Sequence, residues 1–453
     1  MRPHSLICRL GMTDRATVAL ARANSRATEI SFIAGRRRLD HGLGQALDHL
    51  HSLGFHTSER AVDLALFTAA MTAADTRISR TTESQDRWTR EIDLHVPVAE
   101  PHIWASLAPL LVQMLEFLTG DRWGVYFRPR PAGLDQLAPP PRRRRVIDPS
   151  CVCLFSGGLD SFIGAVDLIS RGEKPLLISH YWDGGSSPYQ TLCCEHLKKH
   201  FTTVPLNHIR TRVGFASDIV GESRPENTLR GRSFLFFALA ALAASGFERD
   251  VVIHVPENGF ISLNVPLDPL RLGSNSTRTT HPFYMARWNE LLAALGVPAR
   301  LENGYRHHTK GQMVQECADR AFLRRYAKDT MSCSSPTKLR WAGEKPMHCG
   351  YCVPCVIRRA ALLAGFGTDD TAYGIPNLQT RPLDSSKAEG RDVRSFQLAL
   401  ARLNAKPYFA RFLIHQSGPL FDYPEELDGY CDVYINGMRE VERLLHGVVA
   451  RPL

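Results

Sequence analysis

The sequence predicts an α/β fold: a parallel sheet with helices on both faces, preceded by a small N-terminal α+β domain and carrying a structural metal site. Three observations predict it. From residue 150 onward, short apolar runs alternate with helical patterns. The first of these runs passes into a helix through Ser156-Gly157-Gly158-Leu159-Asp160-Ser161. Late in the chain, Cys333, Cys349, Cys352 and Cys355 stand at metal-ligand spacing. Strands that alternate with helices imply crossover connections, and crossovers imply parallel pairing.

In the N-terminal region, residues 61–74 read as a helix with Val62, Leu66 and Ala69 on one face. Residues 91–98 alternate, with Ile92, Leu94 and Val96 on one side, and read as a strand. A second amphipathic helix covers 104–118 and an edge strand 124–128. Asp75, Arg77, Asp86, Arg87 and Arg90 surround Trp88 in sequence and read as surface ion pairs. This gives an accessory or partner-docking domain over 1–130. The stretch 131–149 is rich in proline and arginine, and Arg142, Arg143, Arg144 and Arg145 make it a charge-extended linker.

Residues 150–365 form the α/β domain. Apolar runs at 151–155, 175–182, 204–209 and 251–255 read as strands. Residues 161–169 read as a helix with Phe162, Ile163, Val166 and Ile169 on one face, and 229–244 as a helix apolar almost all round, hence buried. Residues 366–453 read as a helical extension, with Met438, Val441 and Leu445 on one face.

Composition bounds the class. The chain has 453 residues, 44% hydrophobic and 22% charged, an ordinary soluble balance. No apolar run is read as long enough to cross a bilayer, and the apolar stretch at the N-terminus is too short for a signal peptide. The expected location is the cytoplasm. The net charge of +9 permits anionic ligands such as nucleotides, tRNA or DNA and selects none of them. The 11 cysteines are odd in number and follow no secretion signal, which argues against a disulfide framework.

The glycine loop carries the first chemistry. The start of a helix offers free N–H groups and the positive end of a dipole, so it suits an anion. Gly157 and Gly158 let phosphate oxygens approach the backbone, and Ser156 and Ser161 add hydroxyl donors. Asp160 would repel a bare phosphate, so its presence suggests a divalent cation between them, most simply Mg²⁺. No Gly-Lys-Ser/Thr follows, so the loop is not of the Walker type.

The cysteines carry the second. Cys349-x-x-Cys352-x-x-Cys355, with Cys333 upstream, can close a tetrahedral Zn²⁺ site with no open position. An iron–sulfur cluster suits the same spacing. His348 reads as a bystander, and Cys151, Cys153, Cys193 and Cys194 as packing residues.

Ser-Gly-Gly-x-Asp-Ser resembles the signature of the PP-loop ATP pyrophosphatases, Rossmann-like proteins of the adenine nucleotide alpha hydrolase type that cleave ATP between its α- and β-phosphates. That resemblance implies ATP binding at Ser156, Gly157, Gly158, Leu159, Asp160 and Ser161. Loop and cysteines together resemble QueC, the 7-cyano-7-deazaguanine synthase family, in which such cysteines bind zinc. Arg230-Gly231-Arg232-Ser233-Phe234-Leu235 resembles the Arg-Asn-x-x-Phe-Leu stretch of that family, with Arg232 at its arginine and Ser233 in place of its asparagine. The resemblance covers roughly 150–365.

The chain departs from ordinary QueC in its added N-terminal domain, in His180-Tyr181-Trp182-Asp183-Gly184-Gly185, and in the polar runs 255–259 and 273–282. In these it is similar to the QatC family, QueC-like proteins of the Qat anti-phage defence system. The resemblance implies adenylation of a 7-deazaguanine carboxylate, 7-carboxy-7-deazaguanine, and its transfer to an amine. The implied acceptor is the N-terminus of a partner protein, QatB, within a larger Qat complex. Free ammonia, as in QueC itself, and tRNA, as in other PP-loop enzymes, are the rival acceptors. The implied catalytic residues are Asp160 and Arg232, and the implied substrate pocket is Glu257, Asn258, Arg278, Thr279 and His281.

Overall fold

The computed structural model describes residues 2–453 except 34, 36–37, 141–145, 182–186, 222, 224, 227–229, 269–277, 339–342 and 344. The arginine run 142–145, Trp182 to Gly185 in the segment after the second α/β strand, and residues 273–277 of the later polar run lie outside the described residues.

Two parallel sheets organise the chain. The first contains β1 (His4–Arg9), β2 (Arg26–Ser31), β3 (Glu91–Val98) and β4 (Arg122–Pro129) in the order β2-β1-β3-β4. Every pairing in it is parallel: His4 lies opposite both Arg26 and Ile92, and Glu91 lies opposite Arg122. This corrects the α+β expectation, because the N-terminal region is itself parallel α/β. Between β2 and β3 run α1 (Leu43–Ser52), α2 (Glu59–Arg77) and the single turn α3 (Arg80–Glu83); α4 (Pro101–Thr119) crosses from β3 to β4. Local alternation identified the strands, but only the crossovers decide their direction.

The second sheet contains β5 (Cys151–Leu154), β6 (Pro175–His180), β7 (Asn207–Thr211), β8 (Val251–His254) and β9 (Ala299–Glu302) in the order β7-β6-β5-β8-β9, again all parallel. Its connections include α5 (Leu159–Ser170), α6 (Ser187–His200), α7 (Arg232–Ala244), α8 (Gly259–Leu263) and α9 (Pro282–Ala294). The chain moves from β5 to β6 and β7 on one side, then returns to β8 and β9 on the other. The loops after β5 and β8 therefore diverge and open a crevice at the carboxyl ends of the strands, where open α/β sheets bind ligands.

Helices α10 (Lys310–Glu316), α11 (Arg320–Tyr326), α12 (Val353–Phe366), α13 (Ala388–Ala405), α14 (Ala410–Leu413) and α15 (Leu427–Leu445) complete the fold, with a short parallel pair at Leu383–Asp384 and Ala450–Arg451.

One core runs through both sheets. Every residue of α2 from 61 to 76 is buried, because the helix is packed on all sides. The Phe67 ring sits 6.4 Å from Trp104 and 6.0 Å from Phe234, linking α2 to α4 and to α7. A second core gathers α8, α12, α13 and α15 around Val356, Phe396, Tyr434 and Met438, and it includes Cys349, Cys352 and Cys355.

Helix α4 corrects another expectation. By length and composition alone it is apolar enough to cross a bilayer. In the fold it is a crossover between paired parallel strands, with Trp104, Leu111, Met114, Leu115 and Leu118 buried.

The charges around Trp88 divide: Asp86 and Arg87 are exposed, as a surface cluster would have them, but Asp75 and Arg90 are buried. Arg90 is fully buried and donates to Asp121 Oδ2 at 2.6 Å and to Asp75 Oδ1 at 2.9 Å. Arg80, from α3, reaches the same two carboxylates. The sequence reading lacked Asp121, the charge that makes burial tolerable. Removing one partner from such a buried network leaves the remaining charges uncompensated, at a cost of about 3–5 kcal/mol. Asp121→Asn is therefore expected to lower the urea midpoint of unfolding by that much stability. An unchanged midpoint would show the network to be dispensable.

Candidate functional site

The loop after β5 is shaped by its neighbours. Phe155 N–H still donates to Ile178 O at 2.8 Å, and the chain then turns at Gly157, whose φ is +78°. A Cβ there would lie 2.8 Å from the backbone N of Gln190, so both the conformation and the space require glycine. Ser161 Oγ accepts from Ser156 N–H at 3.2 Å and donates to Gly158 O at 3.0 Å, which closes the loop on itself. The first intrahelical bond of α5 is Phe162 N–H to Gly158 O, so the N–H groups of Leu159, Asp160 and Ser161 have no intrahelical acceptor.

Asp160, in the first turn of α5, is the hub of the site. Its Oδ2 accepts from Asn258 N–H at 3.2 Å and from Asn258 Nδ2 at 2.7 Å. Its Oδ1 lies 3.0 Å from Lys310 Nζ, an ion pair with little solvent access. Lys310 is the first residue of α10, fixed by a capping box between Thr309 and Gln312. Oδ1 makes the ion pair without accepting a well-formed hydrogen bond, so it keeps lone-pair capacity for a cation.

Glu257 faces the same cavity from the loop after β8. Thr280 Oγ1 donates to its carboxylate, and Asn303 Nδ2 donates to its backbone O at 2.8 Å. Burial, with the negative charge of Asp160 adding to it, pushes the Glu257 carboxyl up to about 7; the Thr280 bond and Lys310 oppose that shift.

Asp160, Lys310 and Glu257 line one cavity of about 440 Å³, together with Ser156, Ser161, Arg232 and the apolar residues Phe260, Val265 and Phe396. Its far wall is the segment Met331, Ser332, Cys333 and Ser334. Met331 N–H donates to Gly157 O at 2.8 Å, so this segment is bonded to the glycine loop itself.

The four cysteines converge behind that wall. Their sulfurs all lie within 4.8 Å of one another, with Cys333 to Cys352 and Cys349 to Cys355 both 3.9 Å. A tetrahedral ion with Zn–S bonds of ~2.3 Å requires sulfurs about 3.8 Å apart. The cluster therefore fits a structural zinc site. An iron–sulfur cluster distributes its thiolates over several irons and would spread them further. His348 is not a ligand: its Nε2 accepts from Ser332 N–H at 3.1 Å and braces the same segment. Arg358, fully buried on α12, braces it from the other side through Thr330, Ser332 and Ala327.

The structure thus brings Ser156, Gly158, Leu159, Asp160, Ser161, Arg232, Glu257 and Cys333 to one cavity. It does not bring all the expected pocket residues there. Asn258 is fully buried and faces away, holding Asp160 with Nδ2 and capping α8 with Oδ1. Arg278 stacks 4.8 Å from the Phe117 ring and donates to Phe117 O at 2.7 Å, fixing α4 instead. His281 caps α9 by accepting from Phe283 N–H at 3.3 Å, and burial drives its imidazole down to about 3, so it is neutral. Thr279 lies outside the cavity lining; its neighbour Thr280 holds Glu257.

Sequence reasoning missed Lys310, Thr280 and Asn303. The signal available for Lys310 was Thr309-x-x-Gln312, which marks a helix start and places Lys310 at its N-terminal end.

No family model, curated protein or solved structure matches the chain.

Proposed function

We propose that the chain is an ATP-dependent enzyme that activates a carboxylic acid as its adenylate and passes the acyl group to an amine. The observation that carries this reading is the convergence of the glycine loop, the Asp160–Lys310 pair, Arg232 and Glu257 on a single cavity at the carboxyl ends of β5 and β8. A carboxylate resists amines, because it is anionic and has no leaving group. In the first step its oxygen attacks the α-phosphorus of ATP, the bond to the β-phosphate oxygen breaks, and pyrophosphate departs. In the second the amine nitrogen attacks the acyl carbon, AMP departs, and the amine loses a proton.

The loop N–H groups and Ser156 and Ser161 suit the pyrophosphate part of ATP. Lys310 and Arg232 supply positive charge where negative charge develops. Asp160 Oδ1 would hold Mg²⁺, which when bound neutralises phosphate charge. Glu257, with its carboxyl near 7, suits acceptance of the amine proton.

The acid of this reading is 7-carboxy-7-deazaguanine, following the QueC-like combination of loop and cysteines. The acceptor is the N-terminus of a partner protein, QatB in a Qat system, with ammonia or tRNA as the other candidates. Radiolabelled pyrophosphate exchange into ATP, dependent on this acid, tests the first step; exchange only with a different acid overturns the choice of acid. An intact-mass gain of one deazaguanine acyl group on QatB tests the second. Product with ammonia and an unchanged QatB mass would assign ammonia instead.

A further inference from the structure

Arg232 lines the nucleotide cavity from the first turn of α7, and the residues that fix its backbone belong to the N-terminal sheet region. Gly231, the residue before it, offers α7 no side-chain cap. Its N–H instead donates to Asp75 Oδ2 at 2.8 Å, near the end of α2. A carboxylate at a helix start opposes fraying and suits the helix dipole. Asp75 has no freedom of its own, since Arg90 and Arg80 hold its Oδ1 at 2.9 and 3.3 Å. Nor does Gly231: a Cβ on it would lie 2.7 Å from Met71 Sδ.

The chain leading to Gly231 is fastened to the same region. Ser79 N–H donates to Ser223 Oγ at 3.1 Å, Glu226 N–H to Thr76 O at 3.0 Å, and Arg80 N–H to Glu226 Oε2 at 2.7 Å. Arg230 donates to Thr119 O at 2.7 Å, and its guanidinium sits 3.9 Å from the ring of the partly exposed Trp88. Asp75 and Thr76 also share a small internal cavity with Arg232.

We propose that Asp75 is a positioning residue, through which the N-terminal sheet region sets Arg232 in the nucleotide cavity. The N-terminal region is then part of the nucleotide site and not only an appendage for docking. This rests on the reading that the cavity binds ATP.

A double-mutant cycle tests it. In Asp75→Asn the amide has one oxygen for two sets of donors, so either Gly231 or the arginine pair loses its acceptor. The readout is affinity for a fluorescent ATP analogue in the full chain, with acid-dependent pyrophosphate exchange measured in parallel. Arg232→Ala is expected to weaken binding about tenfold or more, and Asp75→Asn roughly threefold to tenfold. In the Arg232→Ala background, Asp75→Asn is expected to have no further effect. Equal losses in both backgrounds, or no loss from Asp75→Asn alone, overturn the proposal. Should Asp75→Asn fail to fold, Asp75→Glu, which keeps the charge for Arg80 and Arg90 and moves the carboxylate relative to Gly231 N–H, enters the same cycle under the same criterion. Wild-type binding of ATP without exchange overturns the adenylation reading and leaves this proposal standing, exchange only with a different acid overturns only the choice of acid, and absence of ATP binding overturns both readings.

Discussion

Stripping the metal from Cys333, Cys349, Cys352 and Cys355, or replacing Cys352 by Ser, is expected to abolish acid-dependent pyrophosphate exchange while leaving both sheets folded. The reason is the path from the sulfurs to the glycine loop. Cys333 meets Cys352, at the start of α12, through the sulfur cluster, and two residues before it Met331 N–H bonds Gly157 O at 2.8 Å. Val353, Pro354 and Ile357, at the start of α12, form part of the same cavity wall. A structural zinc site contributes about 10–16 kcal/mol in small peptides, more than the Arg358 and His348 bonds can replace at about 1 kcal/mol each. Without the ion, four clustered thiols lose their common partner, and residues 331–338 and 345–355 lose their anchor. A misplacement of ~1 Å in a catalytic loop costs about 100-fold in rate, so exchange should fall at least that far. Hydrogen exchange should show lost protection over 331–338 and 345–355 and retained protection in β5, β6 and β8. A metal-free protein that keeps its exchange rate would show that the cluster does not support the site.

What could be read along the chain was what the chain holds locally. The turn at Gly157, the helix after it and the spacing of Cys349, Cys352 and Cys355 each span only a few residues, and their geometry follows from that spacing. Partners brought together by topology could not be read in the same way. Lys310 meets Asp160 because α10 follows β9, next to β8, and nothing within either segment announces the pair. Polarity proved a weak guide in the loops after β8. Glu257 lines the cavity, but Asn258 spends its amide on Asp160 and on capping α8, Arg278 donates to the carbonyl of Phe117, and His281 caps α9. Loops need such bonds wherever they are buried, so polar residues there do not by themselves mark a pocket. Part of the cluster around Trp88 was misplaced for the same reason. Asp75 and Arg90 read as surface charges until Arg80 and Asp121, the latter between α4 and β4, are seen to complete a buried network.

Lys310→Met is expected to lower acid-dependent exchange by about 10²–10³-fold, the scale seen when one group stabilising developing charge is removed. A second effect must be separated from this one. Lys310 is buried against Asp160, with side-chain exposures of 5% and 11%. Losing the cation leaves a buried carboxylate with, among the described residues, only Asn258 as donor, and breaking a buried pair in this way costs roughly 3–5 kcal/mol of stability. A loss of activity in Lys310→Met alone could therefore report instability. Pairing it with Asp160→Asn distinguishes the two causes. The neutral amide can still accept from Asn258 N–H and no longer needs a cation, so the double variant should recover most of the lost urea midpoint. If the pair acts on ATP, exchange should stay at the level of the worse single variant, because both the cation and the carboxylate proposed to hold Mg²⁺ are then gone. Recovery of exchange along with stability would make the pair a scaffold for the crevice and remove both residues from the chemistry.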